Sequence, residues 1–227
     1  MKVFPTCLFA PNGVEADIER RVVSGGTSLS GDETLIGTDG GGRIFAEFSD
    51  FYLDEPEVAL AYRALSVIAE DGLTPMFVPL CDARHQPTQG EVTTPHSDGS
   101  IFADETLYQQ QDGEAVTTAD APLRATSLAI QAVSFARPLQ GGEWFSIDHP
   151  TMRHRCYRVG TIQGGTITFR PPLREAVPSG ASLNFGDPLC TMRVDGAMRS
   201  PSTFGYAEAP SLRFVEHFPG PEGYVNG

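Results

Sequence analysis

Lysine is nearly missing from this chain. Lys2 is the only one, and the other 15 of its 16 basic residues are Arg. Arg keeps its charge and makes planar two-point contacts with carboxylates, which suits interfaces and buried pairs. Positive charge is scarce as a whole, with 16 basic residues against 29 acidic ones and a formal net charge of −13. That balance argues against sequence-specific or general binding of nucleic acid through phosphate neutralisation. No stretch approaches the roughly 20 apolar residues that span a bilayer, so no membrane partner is expected. Met1–Pro5 opens no long apolar segment of the secretory type, and the expectation is synthesis and assembly in cytoplasm.

Cysteines are few and scattered, at Cys7, Cys81, Cys156 and Cys190. None forms a CxxC pair, so zinc-ribbon and dithiol redox spacings are missing. The expectation is buried thiols without disulfides.

The motifs of catalysis are missing too. No G-x-S-x-G elbow occurs. Asp98-Gly99 stands outside any calcium-loop pattern and reads as a turn. The Asp39-Gly40-Gly41-Gly42 cluster lacks a following Lys-Ser/Thr and runs into a strand, so a phosphate-loop reading fails on context. His85 and His96 sit in a polar stretch. His149 and His154 lie closer together, and a β scaffold can hold a metal between histidines and an acid. There is no H-x-H, however, and Arg153 and Arg155 flank His154 with positive charge. Nothing singles out a carboxylate pair for glycoside chemistry. The sequence names no catalytic, cofactor-binding or metal residue, and the chain reads as a non-enzyme.

What is present is strand after strand. Thr166-Ile167-Thr168-Phe169-Arg170 and Ala181-Ser182-Leu183-Asn184-Phe185 alternate polar and apolar residues, as half-buried strands do. Pro171 and Pro172 cannot donate to a ladder, so the first of these ends there. Further strands are expected at 43–48, 73–81, 129–135, 144–147 and 212–218, with glycine turns at Gly25-Gly26 and 39–42. One helix is marked at about 55–70. It has Asp54 as cap, Pro56 in its first turn, a stripe of Val58, Ala61, Leu65 and Ile68, and Gly72 beyond its end. The expected fold is mainly β, a sandwich or barrel-like domain with that flanking helix and a long polar insertion. Residues 1–81 and 122–195 would be two parts of one β domain. Residues 82–121, polar and longer than an ordinary connection, would be an arm ordered by a partner. Residues 196–227 would be an extended tail.

Four residues stand out as a candidate subunit interface. Arg170 and Arg174 flank Pro-Pro-Leu and could aim two guanidinium groups at a neighbour's acids. Tyr62 and Arg63 fall beside the helix stripe.

The run Ile167–Arg174, with Val177, Gly180, Phe185, Pro188 and Cys190-Thr191-Met192-Arg193, resembles a pattern of tail proteins of long-tailed bacteriophages. Tyr157-Arg158-Val159, Gly25–Gly31 and Ala61–Leu65 fit the same resemblance. Within that group the chain is most similar to distal tail proteins or related minor tail and tail-tip proteins. The resemblance implies a homo-oligomeric ring, a hexamer, in the virion tail. It would join the tail tube protein to hub and tip proteins, with the tape measure protein as a further neighbour. It carries no catalytic residue. An acidic ring would suit a channel that DNA passes without sticking. Two alternatives come from the residues alone. One is a carbohydrate-binding β-sandwich using Trp144, Tyr108 or Tyr206. The other is a β-scaffold metalloenzyme using His149 or His154.

Overall fold

Along Arg43–Phe51 burial alternates residue by residue: Ile44, Ala46 and Phe48 face inward while their neighbours face out. Asp50 breaks the alternation with φ 54 and returns Phe51 to the buried side. This strand organises the first of two compact units, Met1–Pro79 with Cys190–Gly227; the second is Leu80–Leu189. The computed structural model describes residues 1–20, 22–37, 40–80, 85–88, 100, 113–199 and 209–220.

In chain order the elements are α1 (Thr6–Phe9), β1 (Pro11–Glu19), β2 (Val22–Thr27), β3 (Glu33–Gly37), β4 (Arg43–Phe51), α2 (Pro56–Ala69) and β5 (Met76–Pro79). There follow β6 (Glu114–Thr117), β7 (Ser127–Ser134), β8 (Trp144–His149), β9 (Arg153–Gln163), β10 (Thr166–Arg170) and β11 (Ser182–Asn184). Last come β12 (Leu189–Val194) and β13 (Leu212–Glu216). The fold is mainly β, as the strand punctuation predicts.

The first unit is a five-stranded sheet in the order β1-β4-β13-β12-β5, plus a separate two-stranded ribbon of β2 and β3. Its core is aromatic. Phe4 lies 4.8 Å from Phe214 and 5.4 Å from Phe48, and Tyr62 of α2 lies 5.5 Å from Phe9 and 5.8 Å from Phe51, centroid to centroid. Edge and tilted ring contacts of this kind add to the area they bury. The last strand, β13, pairs with both β4 and β12. The expectation of an extended tail from 196 onward is therefore corrected over Leu212–Glu216, whose Leu212, Phe214 and Glu216 are buried in the sheet.

Two details of α2 differ from the sequence reading. The cap position is Glu55, without a side-chain cap bond, while the Asp54 carboxylate accepts the Tyr52 hydroxyl at 2.9 Å. The buried stripe is Tyr62, Leu65 and Ala69, and Ile68 is turned out. The wide ring of Tyr62 fills the space under the helix, and rotation toward it carries Ile68 to the flank. Helix geometry ends at Glu70 and Asp71, both in left-handed backbone, before Gly72.

The second unit is a closed barrel in the order β10-β7-β6-β11-β8-β9. Closure leaves no open sheet edge. Its interior holds Leu128, Phe145, Ile147, Tyr157, Val159, Ile167, Phe169, Leu183 and Phe185. Phe145 stacks on Phe185 at 5.1 Å, and Tyr157 meets Phe169 edge-on at 5.3 Å. This division corrects the expectation of one β domain running through 1–81 and 122–195. The barrel closes on itself within 114–184, and β12 returns to the first unit. It also corrects the extent of the polar arm: Glu114–Thr117 is a barrel strand, with Ala115 and Thr117 buried. Nearly all the rest of 82–112 lies outside the described residues.

Candidate functional site

The proline corner at the end of β10 is the first place to look. Arg170 precedes a cis bond to Pro171, and Pro171 and Leu173 are buried. The corner is pinned from several sides. The Leu173 amide donates to Ala125 O at 2.9 Å, and Arg124 donates to Leu173 O at 3.0 Å. The Arg174 amide donates to the Tyr157 hydroxyl at 3.1 Å. Glu175 accepts the amides of Thr151 and Met152, each at 3.1 Å, and so ties the corner to the β8–β9 turn.

At the centre of this bracing the Tyr157 hydroxyl lies 2.8 Å from His149 Nε2. Tyr157 also accepts the Arg174 amide, and its own proton can go to His149 Nε2. With the hydroxyl donating, the neutral imidazole is the Nδ1–H tautomer; with His149 donating, it is the Nε2–H tautomer. Burial pushes the His149 pKa down to about 4, and the nearby Arg155 charge acts in the same direction while Glu175 opposes both. Burial also lowers the His154 pKa, against the pull of Asp148, whose carboxylate is 3.9 Å away. Charge is disfavoured at both rings for the same reason, the loss of water around the imidazolium.

The second place is the β2–β3 ribbon. Every residue of both strands is exposed. Val23 stands opposite Ile36, which puts both on one face, while Val22 and Leu35 point to the other. Their exposures run from 52% to 63%, and Leu29 at the tip is fully exposed. The tip is held by its own polar groups. Ser28 donates from its amide to Asp32 O at 2.8 Å, Ser30 Oγ donates to the Asp32 carboxylate at 2.8 Å, and the Asp32 amide donates to Ser28 Oγ at 3.1 Å. The ribbon thus carries two large apolar side chains on each face, and all four are exposed.

No family model matches the chain, and no curated protein matches it.

The four interface candidates separate. Arg170 is exposed and donates to the carbonyl of Phe169 at 2.8 Å. Arg174 is half-buried, with its backbone committed to Tyr157. Arg63 is exposed on α2. Tyr62 is corrected: it is fully buried among Phe9 and Phe51 and offers no surface to a neighbour. Its place beside the expected stripe left it open to an interface or to burial against the sheet, and the helix faces its core with that residue.

Register separates the two histidines. His149 is opposite Arg153 and His154 is opposite Asp148, so the two histidines project from opposite faces of the β8–β9 hairpin and share no ion. Among the described residues, no group of three His, Cys, Asp or Glu side chains gathers to hold a metal. Trp144, the expected sugar platform, is 6% exposed and lies under Arg158, whose guanidinium carbon is 4.9 Å from the ring centre. Tyr108, Tyr206 and His96 lie outside the described residues. Cys156 and Cys190 are buried thiols as expected, but Cys7 is exposed on α1, a correction, and Cys81 lies outside the described residues.

The sequence reading of strands over 14–53 put a turn at Gly25-Gly26, which the structure places inside β2, and so missed the ribbon's shape. Its signal was present in Val22-Val23 and Leu35-Ile36, on either side of a Ser-Leu-Ser-Gly-Asp turn. Adjacent apolar pairs fit neither simple alternation nor a helix, because they supply apolar groups to both faces of a strand.

Proposed function

We propose that this chain is a structural subunit of a long-tailed phage tail, a ring-forming distal component between the tail tube and the hub and tip proteins. The β2–β3 ribbon carries the reading. A ribbon this apolar, on both faces, is stable in water only when something covers it. A subunit whose neighbours are supplied by assembly meets that need. The rest of the molecule agrees with a construction role. The buried His149 Nε2 and Tyr157 hydroxyl bond to each other, and the hydroxyl accepts the Arg174 amide at the proline corner. Arg170 and Arg63 are exposed and would add charge to contacts with tube, hub, tip or tape measure partners. Assembly would take place in the host cytoplasm, and the mature location would be the virion tail.

Of the three aromatics behind the carbohydrate-binding alternative, Trp144 is buried, and Tyr108 and Tyr206 lie outside the described residues. Immunogold labelling of virions from the phage that encodes the chain tests the reading. Label at the distal end of the tail tube is the expected result. Virions without the protein would overturn it.

A further inference from the structure

The proline corner of the barrel gathers positive charge. Arg170 and Arg124 are both exposed. They stand together because the Phe169 amide donates to Thr126 O at 2.9 Å and the Arg124 amide donates to Leu173 O at 3.0 Å. Register places Arg170 directly opposite Arg158 of β9, whose guanidinium is held over Trp144. Like charges facing each other across a ladder repel, which turns Arg170 outward. One N–H of Arg170 goes to Phe169 O at 2.8 Å, and the rest of its donor fork carries no bond among the described residues. Arg124 and Arg170 form no ion pair among the described residues. Strands β7, β9 and β10 contain no Asp or Glu. The acids of the adjoining loops are committed to backbone: Glu175 accepts the Thr151 and Met152 amides, and Asp120 accepts the Ser179 amide at 2.7 Å. Beside Arg124, Leu123 is 57% exposed.

The ribbon presents the opposite set. Over 22–37 its only charged side chains are Asp32 and Glu33, both exposed, and Leu29 is fully exposed in the same turn. Bonds among Ser28, Ser30 and Asp32 fix that turn, so the apolar and acidic groups are offered together. Neither carboxylate forms an ion pair among the described residues. One leucine with two carboxylates thus faces one leucine with two guanidinium groups. We infer that the tip of the β2–β3 ribbon of one copy docks at the proline corner of the barrel of the next copy, Leu29 against Leu123, with Asp32 and Glu33 toward Arg124 and Arg170. Charges without an opposite partner inside a copy then gain one between copies. The contact joins two different surfaces, so it is head-to-tail and propagates until the rotation closes. This rests on the subunit reading above, and deepens it by naming the surface that receives the ribbon.

Cross-linking tests it. In the full chain with Cys7→Ser, the Leu29→Cys/Leu123→Cys double variant is oxidised and run without reductant. Both positions are exposed, so neither change disturbs a core. A ladder of covalent multimers is expected from the double variant, and monomer from each single variant. Pairing Leu29→Cys with Val67→Cys on the outer side of α2 is expected to give no ladder. Independently, Arg124→Glu with Arg170→Glu should raise the concentration needed for assembly by roughly tenfold or more, as like charges meet across the contact. Adding Glu33→Arg should recover part of the loss, and unchanged Trp144 fluorescence shows that the barrel is intact. A chain that assembles normally with no ladder and no response to the charge reversal overturns the docking and leaves the subunit reading standing. A cross-link formed only within single chains overturns the docking as well. A chain that stays monomeric at all concentrations overturns both.

Discussion

The Tyr157 hydroxyl sits 2.8 Å from His149 Nε2 and at the same time receives the Arg174 amide at 3.1 Å. One phenol thus joins β9, the end of β8 and the segment after the double proline. Truncation to Tyr157→Phe leaves a buried imidazole nitrogen and a backbone amide without this partner. The expected cost is about 2–3 kcal/mol, since a buried polar group that loses its partner costs its desolvation. Chemical denaturation followed by barrel fluorescence, with Trp144 as reporter, measures it. A loss below about half a kcal/mol would show that the hydroxyl does not hold the corner.

The same pair sets a pH dependence. His149 has a folded pKa of about 4 against an ordinary 6.5, so between those values the unfolded chain binds more protons. The stability from neutral His149 is therefore complete above about pH 6.5 and is lost as pH falls toward 4. The loss amounts to roughly 3 kcal/mol over that window. His154, lowered in the same direction, adds to it with the same sign. Thermal melting from pH 7 to pH 4 should show a falling midpoint, and His149→Gln should flatten the slope. An unchanged slope in that variant would contradict the assignment.

Gly72 takes φ +93, and a Cβ there would run into the carbonyl oxygen of Val194. Gly72→Ala should destabilise the first unit by roughly 2 kcal/mol or more, from left-handed backbone and the clash together. The barrel should be unaffected, which hydrogen exchange resolves by unit. Equal loss of protection in both units would contradict this.

Both ends of the segment 89–112 are anchored to the barrel. Pro87 O accepts the Ala136 amide at 2.8 Å, and Gly113 O accepts the Phe185 amide at 2.8 Å. A Cβ on Gly113 would lie 2.7 Å from the Thr88 methyl, so the two ends are neighbours. Replacing 89–112 with a short Gly-Ser linker should leave the barrel within about 2 kcal/mol of its original stability, because loop closure varies slowly with length. A barrel that no longer folds would show that the segment supplies core.

Local pattern was readable where one face is buried and one is wet. Thr166–Arg170 alternates, and the structure buries Ile167 and Phe169 there. Leu212–Glu216, read as a last strand, is one. Partnership was not readable. Alternation says which residues face inward but not which strands meet, so one interrupted domain and a self-closed barrel within 114–184 give the same pattern. At α2 the apolar content of both sides hid which one is the core, and Tyr62 was read as lateral while Ile68 was read as inward. At the proline corner the end of β10 at Arg170 was legible because prolines end a strand. The bracing by His149, Tyr157 and Glu175 depends on groups far apart in sequence, which local pattern does not bring together.

The central claim is that this chain is a subunit completed by copies of itself. Native mass spectrometry of the purified full chain, over a range of concentrations, tests it most directly. The account predicts a closed species of fixed copy number, a hexamer, that Leu29→Asp shifts toward monomer. A monomer at every concentration, indifferent to that substitution, would contradict it.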